Sequence, residues 1–87
     1  MIDSTLVAEL AQIVRTAAAV PREAPISADT RFEEDLGVDS FDLVAIFFGV
    51  EARYGLHIPE EDMPPLRGMS ELAAYVASRR ASASSAA

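Results

Sequence analysis

The stretch that decides the fold is "EEDLGVDSFD", residues 33–42. An acidic run closes on Leu36-Gly37, and a single serine, Ser40, then stands between Asp39 and Asp42 where an apolar-periodic segment begins. Gly37 supplies a positive-φ turn without steric cost. Asp39 or Ser40 before the periodic segment is an ordinary helix N-terminus. A serine in this place has three possible roles: helix cap, nucleophile, or attachment point for a modifying group.

From Ser40 the chain reads as a helix over residues 40–54, with Gly55 as its stop signal. This helix has more apolar faces than a surface helix needs. Leu43, Ile46, Phe47, Val50 and Tyr54 form a core stripe. Phe41, Val44 and Phe48 form a second stripe, and Ala45 and Ala52 extend the weakly polar side. Either a partner covers the second stripe or the preceding loop folds over Phe41 or Phe48; the first reading is favoured, because complete burial of one helix is difficult in so short a chain. Gly49, in mid-helix, costs about 1 kcal/mol relative to Ala, so the sequence predicts either close approach of another helix there or room for a bound apolar group.

Outward from this helix the pattern stays helical. Residues 3–18 form the first helix, capped by Asp3 or Ser4, with Ile2, Leu6, Leu10, Ile13 and Ala17 at helical spacing. "VPREAPISADT" breaks the pattern with two prolines, so residues 19–39 read as a long loop held down by Ile26, Phe32 and Leu36. "HIPEEDM" holds one short turn of helix after Pro59. "MSELAAYVASRR" is the last helix, with Ser70 as its cap and Arg79 and Arg80 in its last turn. "ASASSAA", residues 81–87, is a flexible tail. No stretch alternates as a strand does. The expected class is all-α: a small four-helix bundle, three main helices plus a short third one, with a long first loop. Residues 1–80 form the domain.

Composition excludes several functions. The 87 residues make one domain, and a chain of this length buries roughly 60–65% of its unfolded surface. There is no cysteine, hence neither a disulfide framework nor a thiolate metal site. No apolar run reaches the ~18 residues of a membrane span and the N-terminus lacks a basic flank. The expected location is the cytoplasm, without membrane attachment. Net charge is −7, from fourteen acidic residues against seven arginines. Nucleic acid and anionic membranes would repel such a surface, whereas a basic protein partner would be steered to it. The acidic runs Glu33-Glu34-Asp35 and Glu60-Glu61-Asp62 lack calcium-loop spacing, so any divalent binding there is incidental and no metal site is expected.

Of the three roles for Ser40, nucleophile fails on chemistry. The one histidine, His57, lies beyond the far end of the Ser40 helix, and the Gly-x-Ser-x-Gly elbow is absent. An enzyme is not expected. A cap is the default for an isolated serine. An attached phosphate ester would also be well placed, since free amides and the helix dipole favour an anion at a helix N-terminus.

The run "DTRFEEDLGVDSFDLVAIFFGVEARYGLHIPEED", residues 29–62, resembles the core of acyl carrier proteins. The matching features are Asp29-Thr30, Phe32, Asp35-Leu36-Gly37, Asp39-Ser40, the apolar helix, and Ile58-Pro59 followed by acids. Helix order and spacing over residues 3–80 agree as well. The resemblance implies a four-helix bundle carrying 4′-phosphopantetheine on Ser40, taken from coenzyme A by a phosphopantetheinyl transferase in a magnesium-dependent reaction. It implies acyl or aminoacyl cargo held as thioesters on the terminal thiol, which fits the absence of cysteine. It implies docking of partner enzymes on the helix after the serine: Asp39 matches the acid beside the attachment serine, and Phe41, Asp42, Val44, Phe48 and Glu51 lie on the docking helix. Two features depart from the family pattern. Phe41 stands where leucine is usual, and the docking helix has few acids and carries Ala45, Ala52 and Arg53. These departures point to partners with a more apolar contact surface, as in a polyketide or related secondary-metabolite pathway: a ketosynthase, an acyltransferase or an adenylating ligase. A peptidyl or aminoacyl carrier, a housekeeping fatty-acid carrier and an unmodified acidic interaction domain are the alternatives. The expected protein is a free-standing monomer, given its start at Met1 and its short tail.

Overall fold

The structure is a computed structural model that describes the backbone of residues 3–86 and the side chains of residues 3–80. Among the described residues the elements are α1 (Ser4–Ala17), α2 (Phe32–Leu36), α3 (Ser40–Tyr54), a 3₁₀ turn (Glu60–Asp62) and α4 (Met69–Ala86). This is the all-α bundle that the sequence pattern predicts. Ile2, counted in the first stripe, lies outside the described residues. No helix among them is long and apolar enough to cross a membrane.

α1 starts where its cap dictates. The Asp3 carboxylate accepts the Thr5 amide at 2.9 Å. Leu6, Leu10 and Val14 then bury one stripe, and α1 packs on both α3 and α4. α3 contributes Leu43, Ile46, Phe47 and Val50 to the same core, and α4 contributes Met69, Leu72, Ala73 and Val76. α3 begins at Ser40 and ends at Gly55, whose left-handed conformation (φ 64°) and amide bond to the Glu51 carbonyl terminate it. Tyr54 is half-buried where the three long helices meet. Its hydroxyl donates to Glu9 at 2.8 Å, and the guanidinium groups of Arg53 and Arg80 lie over its ring. Burial and the Glu9 carboxylate push its pKa up to about 12.

Three expectations need correction. The loop over residues 19–39 is not wholly irregular: residues 32–36 form α2. Five residues are too few for periodicity to reveal, and this turn is stabilised by tertiary burial of Phe32 and by the Asp35 carboxylate reaching back to the Arg31 amide at 2.8 Å. The rest of the loop is held down by Ile26 and Leu36 against the core and by Arg15, whose Nη1 donates to the carbonyls of Pro21 and Ala24. Ser70 is not the cap of α4. The helix begins one residue earlier, at Met69, with the Gly68 carbonyl accepting its first bond from Leu72. The reason is an isolated antiparallel bridge, Arg31 with Gly68: Phe32 N–H donates to Arg67 O (3.1 Å) and Met69 N–H to Thr30 O (2.9 Å). These bonds set the chain direction before Ser70 is reached. Arg79 and Arg80 are not in a last turn, because α4 continues to Ala86. They lie over the rings of Tyr75 and Tyr54 instead.

Gly49 faces α1 at close range. A Cβ built on it would stand 2.8 Å from Ile13 Cγ2, a branch methyl with little freedom in a helix. Close approach is thus the role of this glycine, and the 450 Å3 groove beside it, between Ile13, Ala17 and Ala52, opens to the surface. Gly49→Ala gains about 1 kcal/mol of helix propensity and loses about 1–3 kcal/mol to overpacking, so it is expected to be net destabilising. In an Ile13→Ala background the clash is gone and the same substitution should become neutral or stabilising. Denaturant unfolding of the four proteins in this cycle measures the coupling.

Candidate functional site

The segment entering Ser40 is pinned at both ends of a tight turn. α2 ends on Gly37 in the left-handed region (φ 68°, ψ 26°). The Gly37 amide bonds to Glu33 O at 3.1 Å and the Val38 amide to Phe32 O at 3.0 Å, which satisfies the last carbonyls of α2. Phe32 and Val38 are both buried, so the turn is clamped into the core on either side of Gly37. The chain then leaves the core at Asp39 and opens α3 with Ser40 exposed.

Asp39 is the N-cap. Its Oδ1 accepts the Asp42 amide at 2.9 Å, and Ser40 is the first helical residue. The cap role that the sequence allowed for either residue therefore falls to Asp39, and the Ser40 hydroxyl is left without a structural task. The one histidine of the chain is not near it. His57 is exposed past the opposite end of α3, its Nδ1 3.1 Å from Glu51 Oε2. Beside Ser40 runs a groove of about 290 Å3. Leu43, Val44, Phe47, Met63 and Pro64 give it apolar walls, and Glu60 and Arg67 supply its charged groups.

The other candidate residues divide into two sets. Phe41 is 86% exposed, Phe48 61% and Val44 41%. The long loop does not cover them, and they form an uncovered apolar strip down α3 from the Ser40 end. Asp42 is half-buried at the head of α3. Glu51 is placed differently from the apolar strip. Its Oε2 accepts the Ile58 amide at 2.7 Å and pairs with His57, so it closes the connection after α3. The acidic runs are likewise engaged: Glu33 pairs with Arg67, and Asp62 accepts from Tyr75 at 2.8 Å. Among the described residues no group of three or more His, Cys, Asp or Glu side chains is arranged to hold a metal ion. Met63, Pro64 and Arg67 were missed by sequence reasoning. They lie 23 or more residues from Ser40 and carry no local motif; the bridge at Gly68 brings their segment alongside.

An exposed hydroxyl at the head of a 15-residue helix, beside an apolar groove and with the one histidine past the far end of that helix, suits a residue that is modified rather than one that reacts. It fits a phosphodiester-linked arm: the helix N-terminus favours the anion and the groove walls match an apolar chain. Comparison with known proteins gives the same class. The family model for the phosphopantetheine attachment site matches residues 8–76. The chain is 34% identical over 71 residues to the acyl carrier protein of Rhodococcus erythropolis, covering 82% of this chain and 77% of that one. It is 32% identical over 76 residues to that of Renibacterium salmoninarum, covering 87% and 93%. The mitochondrial acyl carrier protein of Saccharomyces cerevisiae is 40% identical over 53 residues, covering 61% of this chain and 42% of its own. The chain belongs to the acyl carrier protein family. It is thus a carrier rather than an enzyme, its prosthetic group is 4′-phosphopantetheine, and it interacts with a phosphopantetheinyl transferase and with acyl-processing enzymes.

Gly37 carries the turn into the site. At φ 68° any side chain is strained, although nothing within 4 Å would touch its Cβ. Gly37→Ala is expected to cost about 1–2 kcal/mol through backbone strain alone, read as a lower midpoint in thermal or denaturant unfolding, with the helical circular-dichroism spectrum unchanged.

Proposed function

We propose that Ser40 is the attachment residue and that the chain carries acyl or aminoacyl intermediates between the enzymes of a polyketide or related secondary-metabolite pathway. When bound, the prosthetic group supplies a terminal thiol that holds cargo as a thioester. The protein's own residues present and orient it. Asp39 holds the first turn of α3, so that Ser40 projects from a fixed helix end. The Ser40 hydroxyl gives up its proton to a base of the transferase as its oxygen joins phosphorus and the adenosine bisphosphate half of coenzyme A departs, the one histidine of this chain lying past the far end of α3. Leu43, Phe47 and Met63 offer an apolar wall at the root of the arm. Residues 1–80 form the carrier unit in this reading, and residues 81–87 a tail outside it.

The observation that supports the pathway assignment is the surface of α3. It bears two acids. Asp42 is half-buried and Glu51 is held by Ile58 and His57, while Phe41, Val44 and Phe48 are uncovered. A partner that docks here meets apolar surface first, with charge secondary. A ketosynthase, an acyltransferase or an adenylating ligase with an apolar docking patch fits that surface.

Two experiments test the reading. Intact mass is measured before and after incubation with coenzyme A, magnesium and a promiscuous phosphopantetheinyl transferase, with Ser40→Ala alongside. The wild type is expected to gain one phosphopantetheine and the variant nothing. No gain by a folded wild type would leave an unmodified acidic interaction domain. For docking, Phe48→Glu is expected to lower kcat/KM for that modification about tenfold or more with the fold intact. Raising salt from about 0.05 to about 0.5 M should change the wild-type rate less than this if apolar contact dominates.

A further inference from the structure

We propose that Arg67 is a positioning residue for the phosphodiester on Ser40: its guanidinium exchanges Glu33 for the phosphate once the arm is attached. The inference rests on the reading of Ser40 as the attachment residue.

The charges around Ser40 favour a cation beside an added anion. Asp39 and Asp42 flank it in the chain, and Glu60 lines the adjoining groove. A phosphodiester adds a full negative charge among them at neutral pH. Among the described residues, Arg67 is the one cationic side chain lining the groove with Ser40. The head of α3 offers part of the remedy. The Asp42 amide is taken by Asp39, which leaves the amides of Ser40 and Phe41 and the helix dipole for the anion.

Arg67 is built to move at its tip and not at its root. Its backbone is locked beside the Gly68 bridge: its carbonyl accepts the Phe32 amide at 3.1 Å and its amide donates to Pro65 O at 3.0 Å. A side chain on Gly68 would stand 3.1 Å from Thr30 O, so this crossing has no room to shift. The guanidinium, by contrast, is half exposed. Nε donates to Pro64 O at 3.1 Å and Nη1 pairs with Glu33, itself half exposed. An exposed pair of this kind is weakly held. A phosphate beside a positive helix end is a better partner, because its oxygens match the planar fork of the guanidinium. The consequence is orientation. With its phosphate held between the helix end and Arg67, the arm starts along the Leu43–Phe47–Met63 wall rather than swinging free.

The test compares apo and holo forms of the wild type, Arg67→Gln and Arg67→Lys. Intact mass establishes modification, phosphorus NMR reads the phosphodiester, and thermal unfolding reads the cost of adding it. The holo Arg67→Gln phosphorus resonance is expected to be displaced from the wild type, with Arg67→Lys restoring part of the difference. The apo-to-holo change in Tm should be about 1–5 °C less favourable in Arg67→Gln than in the wild type. Each variant is its own reference, so a change in its basal stability does not enter. Full mass gain with the same phosphorus shift and the same Tm change in wild type and Arg67→Gln overturns the role of Arg67 alone. No mass gain by the wild type overturns the attachment reading and this inference together.

Discussion

The constraint on which the site depends is the crossing of residues 30–32 with residues 67–69. Two backbone hydrogen bonds and a glycine with no space for a side chain join the segment before α2 to the start of α4. Neither segment is a strand, and each would otherwise be a loop with unpaired amides. Ion pairs of Arg31 with Glu71 and of Arg67 with Glu33 flank the crossing on its exposed side. Buried Phe32 and Thr30 lie at the same place. Because Phe32 is also the first residue of α2, the crossing fixes the five-residue helix, its Gly37 stop and hence the point from which Ser40 leaves the core.

α3 is the second determinant. Its inner stripe is spent on the core, and Gly49 lets α1 approach until Ile13 touches its backbone. The outer stripe remains uncovered in an 87-residue chain because α1 and α4 already take the available burial and the long loop is tied elsewhere, through Arg15 and Ile26. The same helix ends at Gly55, and Glu51 closes its last turn onto Ile58. α3 is thus fixed at both ends.

Much of this was readable from local chemistry. Asp3 and Asp39 before apolar-periodic segments, and Gly37 and Gly55 after them, mark helix boundaries because caps and left-handed stops act within a few residues. The two stripes of α3 could be counted from spacing alone. What misled was also local. Ser70 has the composition of a cap, but a pairing with residues some forty positions earlier starts α4 at Met69. Phe32–Leu36 is too short to announce itself. Glu51 reads as a surface acid until its bonds to Ile58 and His57 are seen.

The sequence by itself determined that the chain is helical, where α1 and α3 start, that Ser40 stands at the head of α3, and that this helix is apolar on two sides. These follow from interactions between residues close in the chain. Only the tertiary structure decided that the loop leaves the second stripe uncovered, that Asp39 rather than Ser40 caps α3, that Gly49 receives Ile13, and that Arg67 lines the groove of Ser40. These follow from contacts between distant segments, and their outcome depends on how three helices and one crossing share a single small core.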